Sequence, residues 1–411
     1  MPQIYRLILL SLLVTTRANA ADWPQFLGPN RDGHSPETGL LREWPTAGPT
    51  KLWEQSVGSG YAGPAAAGGR LILFHRIEGD EIVECVDAKT GEPKWKYTIP
   101  TGYVDNFGFD DGPRGVPTIA GDQVFTLGAE GRLTCLDLAT GRKNWDRDIA
   151  SSYTLRQSYF GVGVSPVVEG NGVFINVGAK DACVVAFDRT TGKELWKAGT
   201  DDASYSTPTV AEIDGKRRLV FLTREGLLVL DPENGNVVHQ RRFRSRNQAS
   251  VNAATPLVAD GQIFLSACYN TGALLLNVNG WEDVWKNDDS MSNHYTTCVK
   301  VGDYLYGCHG RQEEGALFRC VEWKTGKLMW TKEGFGCAWL IAADGLLLAV
   351  QESGKIVLLE ANPKEYIEKS QFEAFPKPEQ RGKYLRAAPA LADGILYARD
   401  AKKLVAWKVA K

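Results

Sequence analysis

From about residue 50 to residue 411, short apolar runs alternate with Gly/Asp turns, and no long helix-forming Ala/Glu/Lys block interrupts them. TPLVADGQIFLS from Thr255 shows the unit: a Pro, an apolar stretch, a turn and a second apolar stretch. VPTIAGDQVFTL from Val116 and APALADGILYAR from Ala388 repeat it. A third stretch follows and leads into a second repeated segment. VDAKTGEPKW ends at Trp95, LDLATGRKNW at Trp145, FDRTTGKELW at Trp196 and VEWKTGKLMW at Trp330, each with an acidic residue eight positions before the Trp and a Gly four before it. Weaker copies end at His239 and Trp285.

This pattern predicts four strands per unit. Strand A follows the Pro and turns into strand B, strand C carries alternating apolar residues, and an Asp-opened, Gly-closed turn leads into strand D near the Trp. Aligning the turns places the Pro position at Pro64, Pro117, Pro166, Pro208, Pro256, Cys298, Leu340 and Pro389, in steps of 42 to 53 residues. That is the period of a propeller blade. A lone blade cannot bury both faces of its sheet, so the recurrent Trp is read as packing between blades and not as a cofactor cage. His239 stands at the same position and is read as structural. The last unit runs out before a strand D, whereas PTKLWEQS around Trp53 reads as an orphan strand D, so pairing the two closes the ring. Blade seven, ending in EANPKEYIEK, has lost its Gly and Trp, which leaves its outer strand open. The expected fold is an all-β, eight-bladed propeller of four-stranded antiparallel blades.

Composition agrees and narrows function. The chain has 411 residues, 43% of them hydrophobic, with 43 Gly and 12 Trp. Its 47 basic and 49 acidic residues nearly cancel, which removes any chain-wide attraction to nucleic acid. Residues 1–20 read as a signal peptide: Arg6, an apolar run from Leu7 to Val14, then Ala18, Asn19 and Ala20. Residues 21–49 then form an N-terminal extension and 50–411 the propeller, periplasmic or secreted, without a spanning segment in the mature chain and monomeric. Of the eight cysteines, Cys85, Cys135 and Cys320 occupy equivalent strand positions and are read as core; Cys298 and Cys308 face one another only if their hairpin contains a bulge.

Strand A starts converge on the central channel, so the residue three before each Pro position lies on one rim. That ring reads Tyr61, Arg114, Gly163, Tyr205, Ala253, Tyr295, Cys337 and Arg386. Its tyrosines and arginines can stack on and neutralise a planar or carboxylated ligand, or simply plug the channel. Connections into strand A add Arg156 and Asn252, and Trp339, immediately before strand A of blade seven, reads as a stacking floor or as core packing. His294 is the one histidine to test as a base. Asn106, Asp110 and Asp111 offer oxygen ligands for Ca²⁺, or a solvated acidic loop. The Pro-rich segment from Phe372 to Tyr384 is read as a lid or a partner contact.

At the acidic-x-x-T-G-x-x-x-W signature the chain resembles the PQQ-like β-propeller superfamily, which holds both quinoprotein dehydrogenases and BamB-type assembly propellers. The resemblance covers about residues 50 to 411. The first kin imply pyrroloquinoline quinone with Ca²⁺ and oxidation of alcohols or sugars, but use a vicinal Cys-Cys pair that this chain lacks. The second imply a non-catalytic scaffold presented to an envelope protein, peptide or glycan, yet no lipid-bearing Cys lies near the cleavage point. The expectation is an exported binding or scaffolding module, with the quinone-dependent oxidoreductase as the alternative.

Overall fold

At Asp87 the carboxylate accepts from the backbone N–H groups of Lys89 and Thr90 (3.0 and 3.1 Å), and Gly91 returns its own N–H to the Asp87 carbonyl at 2.8 Å. The same turn recurs at Asp137 and Asp188, which is why an Asp and a Gly are needed four residues apart: one caps the turn, the other adopts positive φ. In a computed structural model, which describes residues 21–155, 160–248, 250–376 and 385–411, each such turn links strands C and D of an antiparallel four-stranded blade. There are eight blades. Among the described residues helix is confined to Ile149–Ser152 and a 3-10 turn at Gln312–Glu314, and no helix is long and apolar enough to cross a membrane.

Strand A begins one residue after the aligned Pro in six blades and after Cys298 in blade six, from Ala65–Ala67 through Ala390–Ala392. Blade seven departs. Its strand A spans Ala338–Ala343 and starts two residues before Leu340. Its outer strand forms after all, at Glu368–Glu373. Ring closure is as expected: Thr50–Ser56 pairs antiparallel with Lys403–Lys408 and supplies strand D of blade eight. The hairpin holding Cys298 and Cys308 contains no bulge. Val299 pairs with Tyr306, so Cys298 faces Gly307, and both thiols are free and buried.

The repeated tryptophan bridges blades. The indole N–H donates to a carbonyl in the next blade: Trp53 to Ala88 (3.1 Å), Trp95 to Leu138 (2.9 Å), Trp145 to Arg189 (2.9 Å) and Trp330 to Asn362 (2.9 Å). Its ring lies over the turn glycine of that blade, so a Cβ on Gly141 would meet Trp95 at 2.5 Å and one on Gly192 would meet Trp145 at 2.6 Å. Where one partner changes, so does the other. His239 replaces the Trp of blade four and stacks at 4.1 Å and 3° on Trp281, which stands where other blades place the glycine. We expect Gly141→Ala to destabilise the protein by about 1–3 kcal/mol through positive φ and overpacking together. Gly261→Ala, with similar φ but open space, should cost no more than about 1 kcal/mol. Urea denaturation of both variants measures the difference, and equal losses would rule out the indole contact as its cause.

Residues 21–49 lace across the end of the ring where strands A finish. Trp23 bridges Ala66 of blade one, the Pro24 carbonyl accepts from Ile119 of blade two, and Arg31 donates to the Val168 carbonyl of blade three at 2.8 Å. On the other side Ser35 donates to Ala342 of blade seven, and Glu37 accepts from Gly394 of blade eight at 2.9 Å. The channel is thereby closed at this end.

Candidate functional site

Because every strand A enters in one register, the positions before it converge. Tyr61, Arg114, Gly163, Tyr205, Ala253, Tyr295 and Arg386 all line one cavity of about 340 Å³, together with Trp339 and His294. Cys337 does not line it, since the early start of strand A in blade seven buries it and brings Trp339 forward. Val116, Ser165, Thr207 and Ala388, each one residue before its Pro, add a second tier from the repeat, and other parts of the wall lie outside it. Phe107, Phe109 and Phe160 come from the loops entering blades two and three, and Tyr269 and Arg311 to Glu313 come from the B–C turns of blades five and six. Phe26 of the N-terminal extension meets Trp339 edge-on at 5.4 Å and forms part of the floor.

Among the described residues three guanidinium groups face this cavity, and two of them are already paired. Arg114 Nη2 lies 2.5 Å from Asp105 Oδ2, and Arg311 reaches Glu313 and Glu314 at 3.3 and 3.4 Å. Arg386 is held instead by aromatic faces, 5.5 Å from Tyr61, 5.1 Å from Phe109 and 5.7 Å from Tyr295. Its Nε and the Tyr61 hydroxyl are buried without a hydrogen-bond partner. Glu352, close by, accepts the Tyr295 hydroxyl at 3.0 Å. Burial raises the Glu352 carboxyl above its ordinary range, and it raises the phenols of Tyr61 and Tyr295 likewise.

His294 is occupied on both nitrogens. Nδ1 lies 2.6 Å from Gln312 Oε1 and Nε2 lies 3.3 Å from the Tyr269 hydroxyl, while burial lowers its pKa. Asn252 turns away from the cavity: at φ 52° its amide donates to the carbonyls of Thr223 (2.9 Å) and Phe243 (3.1 Å), fixing the loop that carries Ala253. Arg156 lies outside the described residues. Asn106 borders a second cavity, whereas Asp110 and Asp111 border a third. Asp110 Oδ1 accepts from Gly112 N at 2.7 Å and Asp111 Oδ1 from Asp105 N at 2.6 Å, both within their own loop. The Pro-rich segment falls partly outside the described residues, at 377–384.

The wall residues that sequence reasoning misses share a cause. They sit in connections without periodicity, and the only signal for them is the aromatic pair in NFGF, from Asn106 to Phe109.

The family whose sequence model matches residues 79–332 is described as outer membrane protein assembly factor BamB. The chain is similar to the outer membrane protein assembly factor BamB of Moranella endobia, 23% identical over 284 residues that cover 65% of this chain and 69% of that protein. It is also 34% identical over 122 residues to the quinohemoprotein alcohol dehydrogenase ADH-IIG of Pseudomonas putida, covering 28% of this chain and 16% of that one. The crystal structure of BamB from Moraxella catarrhalis superposes with a TM-score of 0.64 at 15% identity, over 87% of this chain and 97% of that one, a likeness of fold. With the match spanning most of the chain, and eight blades built on the repeated Trp bridge, the chain belongs to the PQQ-like β-propeller family represented by outer membrane protein assembly factor BamB.

Proposed function

We propose that this propeller is an exported, non-catalytic binding module of the cell envelope whose cavity end receives a partner. The observation that carries the reading is the state of the cavity's polar groups. Among the described residues His294, Tyr205, Tyr269 and Gln312 are spent on one another or on the backbone, which leaves ring faces and the Arg386 guanidinium as the features the site offers a ligand. At the mouth Phe107 is 55% exposed, and Val104, which borders the two adjoining cavities, is 64% exposed, apolar surface of the kind that contacts another molecule. The names of the related assembly factors point to an envelope partner.

Export, the signal peptide at 1–20 and the periplasmic location belong to this proposal; fractionation of expressing cells tests them directly. The partner test uses Val104→Asp and Phe107→Asp. Each is expected to reduce capture of the envelope partner by roughly tenfold or more while leaving the melting temperature within about 2 °C of wild type. Unchanged capture by both variants would place the contact elsewhere.

A second reading, the quinone-dependent oxidoreductase, draws on the channel-mouth position of the cavity and on its aromatic and guanidinium lining. The ring faces suit the planar body of pyrroloquinoline quinone. The acidic loop does not suit its calcium, because Asn106 is separated from Asp110 and Asp111 and the two aspartates brace their own loop. Titration with the quinone and Ca²⁺, followed by dye reduction with alcohols and sugars, decides: turnover lost in an Arg114→Ala, Arg386→Ala double variant would replace the binding-module reading.

A further inference from the structure

The cavity is selective in a way that its lining alone does not suggest. Most polar side chains that face it are committed. Ser165 Oγ accepts from Val116 N at 2.8 Å, Thr207 Oγ1 accepts from Ser165 N at 3.2 Å, the Tyr205 hydroxyl accepts from Phe160 N at 2.6 Å, and the Trp339 indole donates to the Arg386 carbonyl at 2.7 Å. Arg114 is neutralised by Asp105 and Arg311 by the glutamates beside it. The Arg386 guanidinium and the Tyr61 hydroxyl are open donors that lie together; Arg311 Nε is also without a hydrogen-bond partner, and the Ser165 and Thr207 hydroxyls, which accept, keep their own protons. Among the described residues no carboxylate comes within ion-pair distance of Arg386, and the Tyr61 ring lies directly beneath its guanidinium.

A half-buried cation without an ion-pair partner is unfavourable, and so is a buried hydroxyl without an acceptor. Both costs are relieved by one group that is anionic, planar and bidentate, which is the description of a carboxylate. The rest of the cavity is built from ring faces and edges: Phe26, Phe109, Phe160, Tyr295 and Trp339. Such walls complement a flat apolar body, and a volume of about 340 Å³ admits one of one or two rings. A polycarboxylate would bring several charges, against one cavity guanidinium without an ion pair among the described residues.

We infer that the cavity binds a single carboxylate carried on a flat, apolar body, with Arg386 and Tyr61 holding the carboxylate and the aromatic walls holding the body. The inference rests on the reading of this propeller as a binding module and names the chemistry that the module selects. A free aromatic acid and an acidic side chain next to an aromatic residue in a partner chain both carry it.

The test is equilibrium titration of the mature protein by calorimetry and tryptophan fluorescence. The probes are naphthoate, the uncharged naphthamide, the tricarboxylate trimesate, and an acetylated, amidated peptide with adjacent Trp and Glu. Naphthoate is expected to bind one to one, with naphthamide and trimesate weaker by roughly tenfold or more. Arg386→Gln should lose roughly tenfold or more for naphthoate and erase its advantage over naphthamide, Arg386→Lys should recover part of it, and Tyr61→Phe should lose roughly three- to tenfold. Melting curves establish that each variant is folded. Tighter binding of naphthoate than of peptide assigns the site to a free acid, and the reverse assigns it to a partner chain. Equal affinity for naphthoate and naphthamide, tighter binding of trimesate, or an unaltered Arg386→Gln variant would overturn the inference. Partner capture that survives in Arg386→Gln but not in Phe107→Asp would sink this assignment while leaving the binding-module reading intact.

Discussion

Trp145→Ala is expected to destabilise the protein by about 3–5 kcal/mol, the range for removing a buried tryptophan. Trp145 is 7% exposed and packs within the cluster shared by blades two and three, with its ring 5.9 Å from Phe125. Truncation removes that ring from above Gly192 and leaves the Arg189 carbonyl without its 2.9 Å indole donor. Trp145→Phe keeps most of the ring and loses the donor, so about 1–2 kcal/mol should go. Because blades interact mainly with their neighbours, the weakening should be local. Hydrogen exchange should accelerate in strands C and D of blade two and in blade three before it does in blades five to seven. A uniform acceleration around the ring, or none, would contradict the account of the indole as a link between two particular blades.

The second large effect is one of pH. Glu81 is 2% exposed; its Oε1 accepts from Ala129 N at 2.8 Å, and it fills the space above Gly128, where a Cβ would meet Oε2 at 2.1 Å. Burial raises its pKa from 4.5 to about 7. A raised carboxyl pKa means that the folded state holds the proton more tightly than the unfolded state. Its contribution is therefore fully present below about pH 4.5 and is lost as pH rises through about 7. The gap corresponds to about 3 kcal/mol. Glu81→Gln retains an acceptor for Ala129 N and carries no charge. At about pH 8 the variant should be more stable than wild type by about 3 kcal/mol, and near pH 4 the two should agree within about 1 kcal/mol. Glu37 and Glu352, also raised by burial, slope the same way in both proteins and cancel in the difference. Parallel stability curves across that range would show that Glu81 is ionised in the fold at no cost.

How much of this is legible in the sequence depends on whether a residue answers to the repeat. Prolines set the start of strand A, the Asp and Gly set the C–D turn, and Trp follows at a fixed distance, so blade count, order and closure can be read directly. The rim positions Tyr61, Tyr205, Tyr295 and Arg386 inherit the same register and meet in the cavity for that reason. Asn252 reads as a ligand contact because it lies in a loop, but its left-handed conformation turns the amide inward to hold the backbone. Phe107, Phe109, Phe160 and Arg311 lie in connections whose length and path are free to vary, and Phe26 reaches the cavity from an extension outside the repeat. Nothing periodic marks such residues.

The lacing of residues 21–49 also fixes which way the molecule can face. Ala21 accepts from Asp393 N in the A–B turn of blade eight, and Lys411 donates to the Gly39 carbonyl, so both of these residues lie at the pole opposite the cavity mouth. Any tether joined at either position, whether a fused protein, an affinity tag on a bead or an anchor in a bilayer, would hold the ring by its closed pole and leave the aromatic mouth aimed away from the attachment surface. Immobilised through Lys411, the propeller should keep its full binding capacity in solution, whereas coupling through a residue at the Val104–Phe107 rim should occlude it.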